Sequence, residues 1–289
     1  MEGNFMRILV LGVSGMLGNA VFRVFAGDSG FEVFGAARSA SVLRHFDERL
    51  AQRILVGFDV ESADALMRLF AAAKPDVVIN CVGLVKQLST ANQILDAVPL
   101  NTVLPHRLAV LCEAVGARLI QVSTDCVFSG KKGCYVESDF PDAYDIYGRS
   151  KLLGEVDYPN AITLRTSIIG HELEGSRSLV GWFLAQQGAV KGFTKAVFSG
   201  LPTVELATVM KDYVVPRPQM RGLYHVSAAP INKYELLRLV AGAYGKDIRI
   251  DPSDELVIDR SLDSTRFRAE TGYQAPAWPE LVRRMRDFN

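Results

Sequence analysis

The chain has 289 residues, 49% hydrophobic and 22% charged, enough apolar content for one large or two modest folded domains and too much for a disordered chain. Thirty-two Lys and Arg balance thirty-two Asp and Glu, so the basic excess of a phosphate-backbone binder is missing and nucleic acid is not an expected partner. Four cysteines (Cys81, Cys112, Cys126, Cys134) form no CxxC pair and four histidines show no ligand spacing; no metal site or disulfide framework is expected, and reduced thiols in the cytoplasm fit the pattern.

Ile8 to Phe22 is the one stretch whose hydropathy invites reading as a membrane or signal helix. It holds three glycines, Ser14 and Asn19, and Arg23 closes it, well short of the roughly 20 apolar residues a span needs. No membrane contact is expected, and the stretch reads as strand, turn and helix. From Arg7 to about Thr166 short β-rich apolar runs alternate with longer helical patterns, the signature of βαβ units and a buried parallel sheet. The strand candidates are Arg7–Leu11, Glu32–Ala36, Arg53–Val56, Val77–Cys81, Leu119–Ser123 and Ile162–Thr166. Between them, Leu66, Leu69, Phe70 and Ala73 recur at helical spacing behind a Ser62 cap, with Lys74-Pro75 as the stop. The fold class is α/β: a doubly wound parallel sheet of Rossmann type with a smaller C-terminal α+β lobe. Residues 1–169 form the nucleotide-binding domain; residues 170–289, with Trp182, Phe183, Phe193, Phe198 and Trp278, form the smaller lobe, interleaved with the first domain around 195–226.

Leu11 is followed by Gly12-Val13-Ser14-Gly15-Met16-Leu17-Gly18 and then an apolar helix. Glycines at such a strand-to-helix turn allow a tight bend, backbone approach to a pyrophosphate at the helix N-terminus and close helix–strand packing. The spacing is GxxGxxG, and a purely structural turn is the alternative reading. Arg38 lies 20 residues after Gly18, at the end of the second strand, with Ser39 beside it and no carboxylate there. That favours a 2′-phosphate, hence NADP(H) rather than NAD, unless Arg38 is a solvated surface charge. Asp59-Val60, after the third strand, is placed to meet the adenine, with a helix-capping aspartate as the alternative.

Tyr147-Gly148-Arg149-Ser150-Lys151 puts Tyr147 and Lys151 on one helical face. A neighbouring ammonium is expected to favour the phenolate of Tyr147 and make it a usable acid. Thr124, closing the fifth strand, projects at the carboxyl end of the sheet, where ligands of such folds bind.

Together these segments resemble the extended short-chain dehydrogenase/reductases, and among them the dTDP-4-dehydrorhamnose reductases. The resemblance rests on the glycine loop, on Ser123-Thr124-Asp125-Cys126-Val127-Phe128-Ser129-Gly130, on Glu137-Ser138-Asp139, on Tyr147 to Glu155 and on Leu164-Arg165-Thr166-Ser167. It implies a catalytic Thr124–Tyr147–Lys151 triad and a nicotinamide cofactor at the sheet switch point, near Cys81-Val82-Gly83 and Asn101. It implies as substrate a nucleoside diphosphate 4-keto-6-deoxyhexose reduced at C4, in deoxysugar and cell-surface polysaccharide synthesis; a homodimer is compatible with it. Cys126 replaces the usual tyrosine, Ala143 and Asp145 replace the usual Pro and Asn, and Arg260-Ser261-Leu262-Asp263-Ser264 only approximates the family's late motif. A diphosphate and a base call for cationic and aromatic side chains. Val85, Trp182, Lys191, Phe193 and Arg260 are therefore assigned, with Thr124, to the substrate, against the alternative that Trp182 is core and Lys191 solvated. Two other functions compete. An epimerase shares the triad and would use Cys126 or His171 as a base, although Arg38 fits poorly with tightly held NAD. A non-catalytic NADP-binding subunit, like the regulatory β-subunit of methionine adenosyltransferase, would be favoured by loss of the triad, which is intact here.

Overall fold

The structure, a computed structural model, describes residues 5–84 and 93–289. Six strands, β1 (Met6–Leu11), β2 (Phe31–Ala37), β3 (Ile54–Val56), β4 (Val77–Asn80), β5 (Arg118–Thr124) and β6 (Ala161–Thr166), fall within one residue of their expected bounds. Along β1, Ile8 and Val10 enter one apolar cluster and Leu9 and Leu11 the other. This is the alternation of a strand buried on both faces. Helix α1 (Met16–Ala26) packs Val21, Phe22 and Phe25 against the first face, and α2 (Ala63–Ala73) and α3 (Leu104–Val115) bring Leu66, Leu69, Phe70 and Leu108 to the second. Ser62 caps α2, its hydroxyl accepting from the Ala65 amide at 3.3 Å, as the Ser/Thr preference at helix starts dictates.

A seventh strand, β7 (Gly222–His225), comes from the C-terminal half and pairs in parallel with β6, Gly222 opposite Ile162 and His225 opposite Arg165. The sheet order is β7-β6-β5-β4-β1-β2-β3, all parallel. The order reverses between β1 and β4, and at such a switch point the loops leave the carboxyl strand ends in opposite directions and open a crevice. The fold is thus a Rossmann-like, doubly wound parallel sheet.

The remaining C-terminal residues form short sheets, among them Ile231–Asn232, Ala196–Phe198 and Ile258–Asp259, and Ala189–Phe193 paired with Arg249–Ser253. Helices cover them, including α5 (Lys233–Tyr244). Their apolar residues, such as Phe183, Leu206, Met210 and Leu281, join the cluster that holds Ile8 and Phe22. Among the described residues no helix is long and apolar enough to cross a membrane, and no group of three His, Cys, Asp or Glu side chains is placed to hold a metal ion.

Candidate active site

At the carboxyl end of β1, Gly12 takes φ +82°, left-handed backbone that a side chain disfavours, and its amide donates to the Ala36 carbonyl at 3.2 Å. The Gly15 amide donates back to the Gly12 carbonyl at 2.9 Å. A Cβ at Gly18 would run into that same carbonyl, so α1 approaches the strand as closely as only glycine allows. Gly15 caps α1 without a side chain. The amides of Met16, Leu17 and Gly18 lack intrahelical acceptors, as in any first turn, and with the helix dipole they form a cradle for an anion. Across the switch point, a Cβ on Gly12 would sit 3.0 Å from Val82 Cγ2 and 3.2 Å from the Cys81 carbonyl carbon.

A cavity of about 540 Å³ opens at this loop. Ser14, Gly15, Met16, Arg38 and Ser39 line one side, and Ser167, Ile168, Phe198 and Lys233 the other. Arg38 is exposed, with no hydrogen bond or ion pair among the described residues. The Ser39 hydroxyl accepts from the Ser41 amide at 3.2 Å and lies 2.9 Å from the Ser41 hydroxyl, capping the turn 40–45. Across the mouth, Glu174 accepts from Arg44 at 2.6 Å and bonds His45 Nε2 at 2.7 Å. Asp59 is exposed and outside the lining; its carboxylate accepts from the Glu61 amide at 3.0 Å, while Val60 packs on the α2 side of the sheet.

Thr124 ends β5, and its hydroxyl accepts from the Cys126 amide at 3.1 Å and donates to Asp125 at 3.2 Å. Tyr147 stands on α4 (Ile146–Leu153), which Asp145 caps by accepting from the Gly148 amide at 2.7 Å. The Thr124 hydroxyl favours the ionised form of the Tyr147 phenol. Lys151, one turn on, is 8% exposed and donates to the Val122 carbonyl at 2.8 Å. Burial lowers its ammonium to about 8, against the pull of Glu155 and Cys81. The expectation that Lys151 depresses the Tyr147 phenol is corrected: burial pushes Tyr147 up, Cys126 adds to the rise, and only the Thr124 hydroxyl opposes them. The ammonium is committed to a main-chain carbonyl, and desolvation of the phenolate dominates. Asn101 sits in a π-helical turn, Val98–Val103, ahead of α3. Its side chain accepts from the Leu84 amide at 2.9 Å and donates to Ser150 at 3.1 Å, and a Cβ on Gly83 would lie 3.1 Å from its carbonyl oxygen and 3.7 Å from Lys151 Nζ. Burial pushes the Cys81 thiol to about 12.

Behind the triad lies a buried ionic network. Glu155 accepts from Ser123 at 2.6 Å and from Arg165 Nε at 2.9 Å, and Arg165 also donates to His225 Nε2 at 2.9 Å. The Phe128 ring lies 4.9 Å from the guanidinium. An arginine cannot accept, so His225 holds its proton on Nδ1 and donates to the Tyr135 carbonyl at 3.0 Å.

Of the residues assigned to the substrate, Arg260 approaches the triad: its Nε donates to the Phe128 carbonyl at 2.9 Å and NH1 lies 3.7 Å from Cys126 Sγ. Lys191 does not. It points outward from Ala189–Phe193 beside buried Val190, and its exposed ammonium pairs with Glu255 at 2.7 Å, as the alternation of the strand requires. Trp182 is 37% exposed on the helix Leu179–Ala185, Phe193 ends a strand paired with Ser253, and neither lines the cavity. Val85 lies outside the described residues. His171 bonds the Tyr244 hydroxyl at 2.7 Å, on the far side of α1, where Asn19 and Arg23 share its small pocket. Sequence reasoning missed Lys233. Asn232-Lys233-Tyr234-Glu235 reads as a capped helix start, and the Asn232 side chain does accept from the Glu235 amide at 2.8 Å. A lysine at the first helical position, against the dipole, was the available signal.

The family model described as "RmlD substrate binding domain" matches residues 6–287, and the chain belongs to that family. A methionine adenosyltransferase 2 subunit beta from Danio rerio is 28% identical over 96% of this chain and 83% of its own. A dTDP-4-dehydrorhamnose reductase from Mycolicibacterium smegmatis is 28% identical over 83% and 70%. In structure, the dTDP-4-dehydrorhamnose reductase of Bacillus anthracis, solved in complex with NADP, superposes with a TM-score of 0.80 at 19% identity, covering 99% of this chain and 100% of its own.

Proposed function

We propose that this protein is an NADPH-dependent reductase of the C4 keto group of a nucleoside diphosphate 4-keto-6-deoxyhexose. One observation carries the reading: Lys151, one turn beyond Tyr147, donates to the Val122 carbonyl of the strand that Thr124 ends, which gathers the three side chains at the carboxyl end of the sheet, across the switch point from the glycine cradle. The cradle fits a dinucleotide, because the left-handed turn at Gly12 and the close approach that Gly18 allows bring the first amides of α1 to the cavity, and Arg38, without a partner among the described residues, suits a 2′-phosphate. When bound, that cofactor supplies a hydride. The chain's own residues handle the proton. Tyr147, held protonated by burial, donates from its hydroxyl to the ketone oxygen; Thr124 orients that oxygen; Lys151 sits where it can hold ribose hydroxyls. Gly83 adjoins Asn101 and Lys151, and Cys81 and Val82 face Gly12; these residues would bound the cofactor, and Arg260 would take a substrate phosphate.

NADPH oxidation is followed at the nicotinamide absorbance with a panel of 4-keto sugar nucleotides. Turnover with one of them, lost in Tyr147→Phe with cofactor binding kept, supports the reading. A second reading follows from the relatives named methionine adenosyltransferase 2 subunit beta: a non-catalytic NADP-binding subunit. Tight NADPH binding with no turnover of any panel member selects it.

A further inference from the structure

Lys233 violates two local rules at once. It occupies the first position of a twelve-residue helix, where the dipole repels a cation, and its ammonium lies among desolvating walls, which brings it down to about 8. Among the described residues it has no hydrogen-bond acceptor or ion pair; its ammonium rests on the face of Phe198, 3.7 Å from the ring centroid, and lines the cavity. The groups that feel its charge are Asp125 and Cys126, beside the triad. Arg260 acts on the same Asp125 and places NH1 3.7 Å from Cys126 Sγ. Two cations thus meet a single carboxylate, itself 5% exposed and pushed toward its neutral form by burial. When Asp125 takes its neutral form, Lys233 and Arg260 both lose that counter-charge. Local rules broken without a compensating partner inside the chain mark a site completed by a ligand.

We propose that Lys233, together with Arg260, forms an anion subsite that seats a negatively charged oxygen group of the substrate against the reaction centre. The inference rests on the proposed function for the substrate's class and adds a residue of the smaller lobe to its recognition. The anionic oxygens come either from the diphosphate or from a carboxylate on the sugar ring, and the two sources separate by experiment.

The full chain, its Lys233→Met and its Lys233→Arg variants are titrated calorimetrically with UDP, dTDP, UDP-glucose, UDP-glucuronate and NADPH. In Lys233→Met, tenfold or weaker binding of UDP and dTDP places the diphosphate on Lys233. The same loss confined to UDP-glucuronate places a sugar carboxylate there. Either supports the subsite, provided Lys233→Arg binds within about threefold of the parent and NADPH affinity is unchanged. An ammonium with no ion pair or hydrogen bond among the described residues is a weak structural anchor, so ligand-free Lys233→Met should melt close to where the parent does. Unchanged nucleotide binding, a loss shared equally with NADPH, a lowered melting temperature with unchanged binding, or a parent that binds none of these nucleotides overturns the proposal. A parent that binds the nucleotides through Lys233 yet reduces no 4-keto sugar leaves the subsite standing and removes the reductase reading instead.

Discussion

Glu155→Ala strips the Arg165 guanidinium of its counter-ion in the middle of the protein. Arg165 is 1% exposed, and its remaining neighbours are the neutral His225 ring and the face of Phe128. The ion pair shields both charges from a low-dielectric interior; with one partner gone, the other is left desolvated. Breaking a buried pair in this way costs about 3–5 kcal/mol, which includes loss of the Ser123 hydrogen bond to the same carboxylate. For a chain of this size that corresponds to a fall of roughly 5–20 °C in Tm. Urea unfolding followed by circular dichroism measures it, with an unchanged slope showing that stability and not compactness has changed. Replacing both members, Glu155→Leu with Arg165→Met, removes the charge as well as its partner and should cost less than Glu155→Ala alone. A loss below about 1 kcal/mol for Glu155→Ala at unchanged slope would refute the view that the pair screens a buried charge.

Arg38→Ala should weaken NADPH and leave NADH nearly untouched, because only the 2′-phosphate loses a charge-assisted partner; equal loss for both cofactors, read from fluorescence titration, removes the assignment. If Lys151 must be charged in the reaction, kcat/KM should fall on the alkaline side near the value of about 8 that burial imposes. Since Glu155 pulls that ammonium up, Glu155→Gln should shift the alkaline limb to lower pH; a limb that stays put sinks the coupling. His225, fully buried beside Arg165, is lowered to about 4 from about 6.5 in the unfolded chain. The unfolded state binds the extra proton, so stability complete above about pH 6.5 drains as pH falls toward 4, by up to about 3 kcal/mol. His225→Gln should flatten that acid slope in urea midpoints taken across pH.

Local pattern determined much of this protein. The six N-terminal strands and the α2 cap follow from period and capping chemistry, because a strand buried on both faces needs a continuous β-rich run and a helix needs its first amides satisfied. The glycine loop was legible since close approach of backbone admits only glycine, and Tyr147 and Lys151 because four residues make one helical turn. Tertiary structure decided the rest. β7 adds to the sheet across about sixty residues of chain, Gly222 meeting Ile162, a pairing that no short-range pattern encodes. Lys191 and Lys233 each have an aromatic residue within two positions in the sequence, yet one is spent on Glu255 at the surface and the other is turned into the cavity over Phe198. Tyr147 rises in pKa where the neighbouring lysine alone predicts a fall, because desolvation depends on everything packed around a group, and the chain learns what surrounds a side chain only when it has folded.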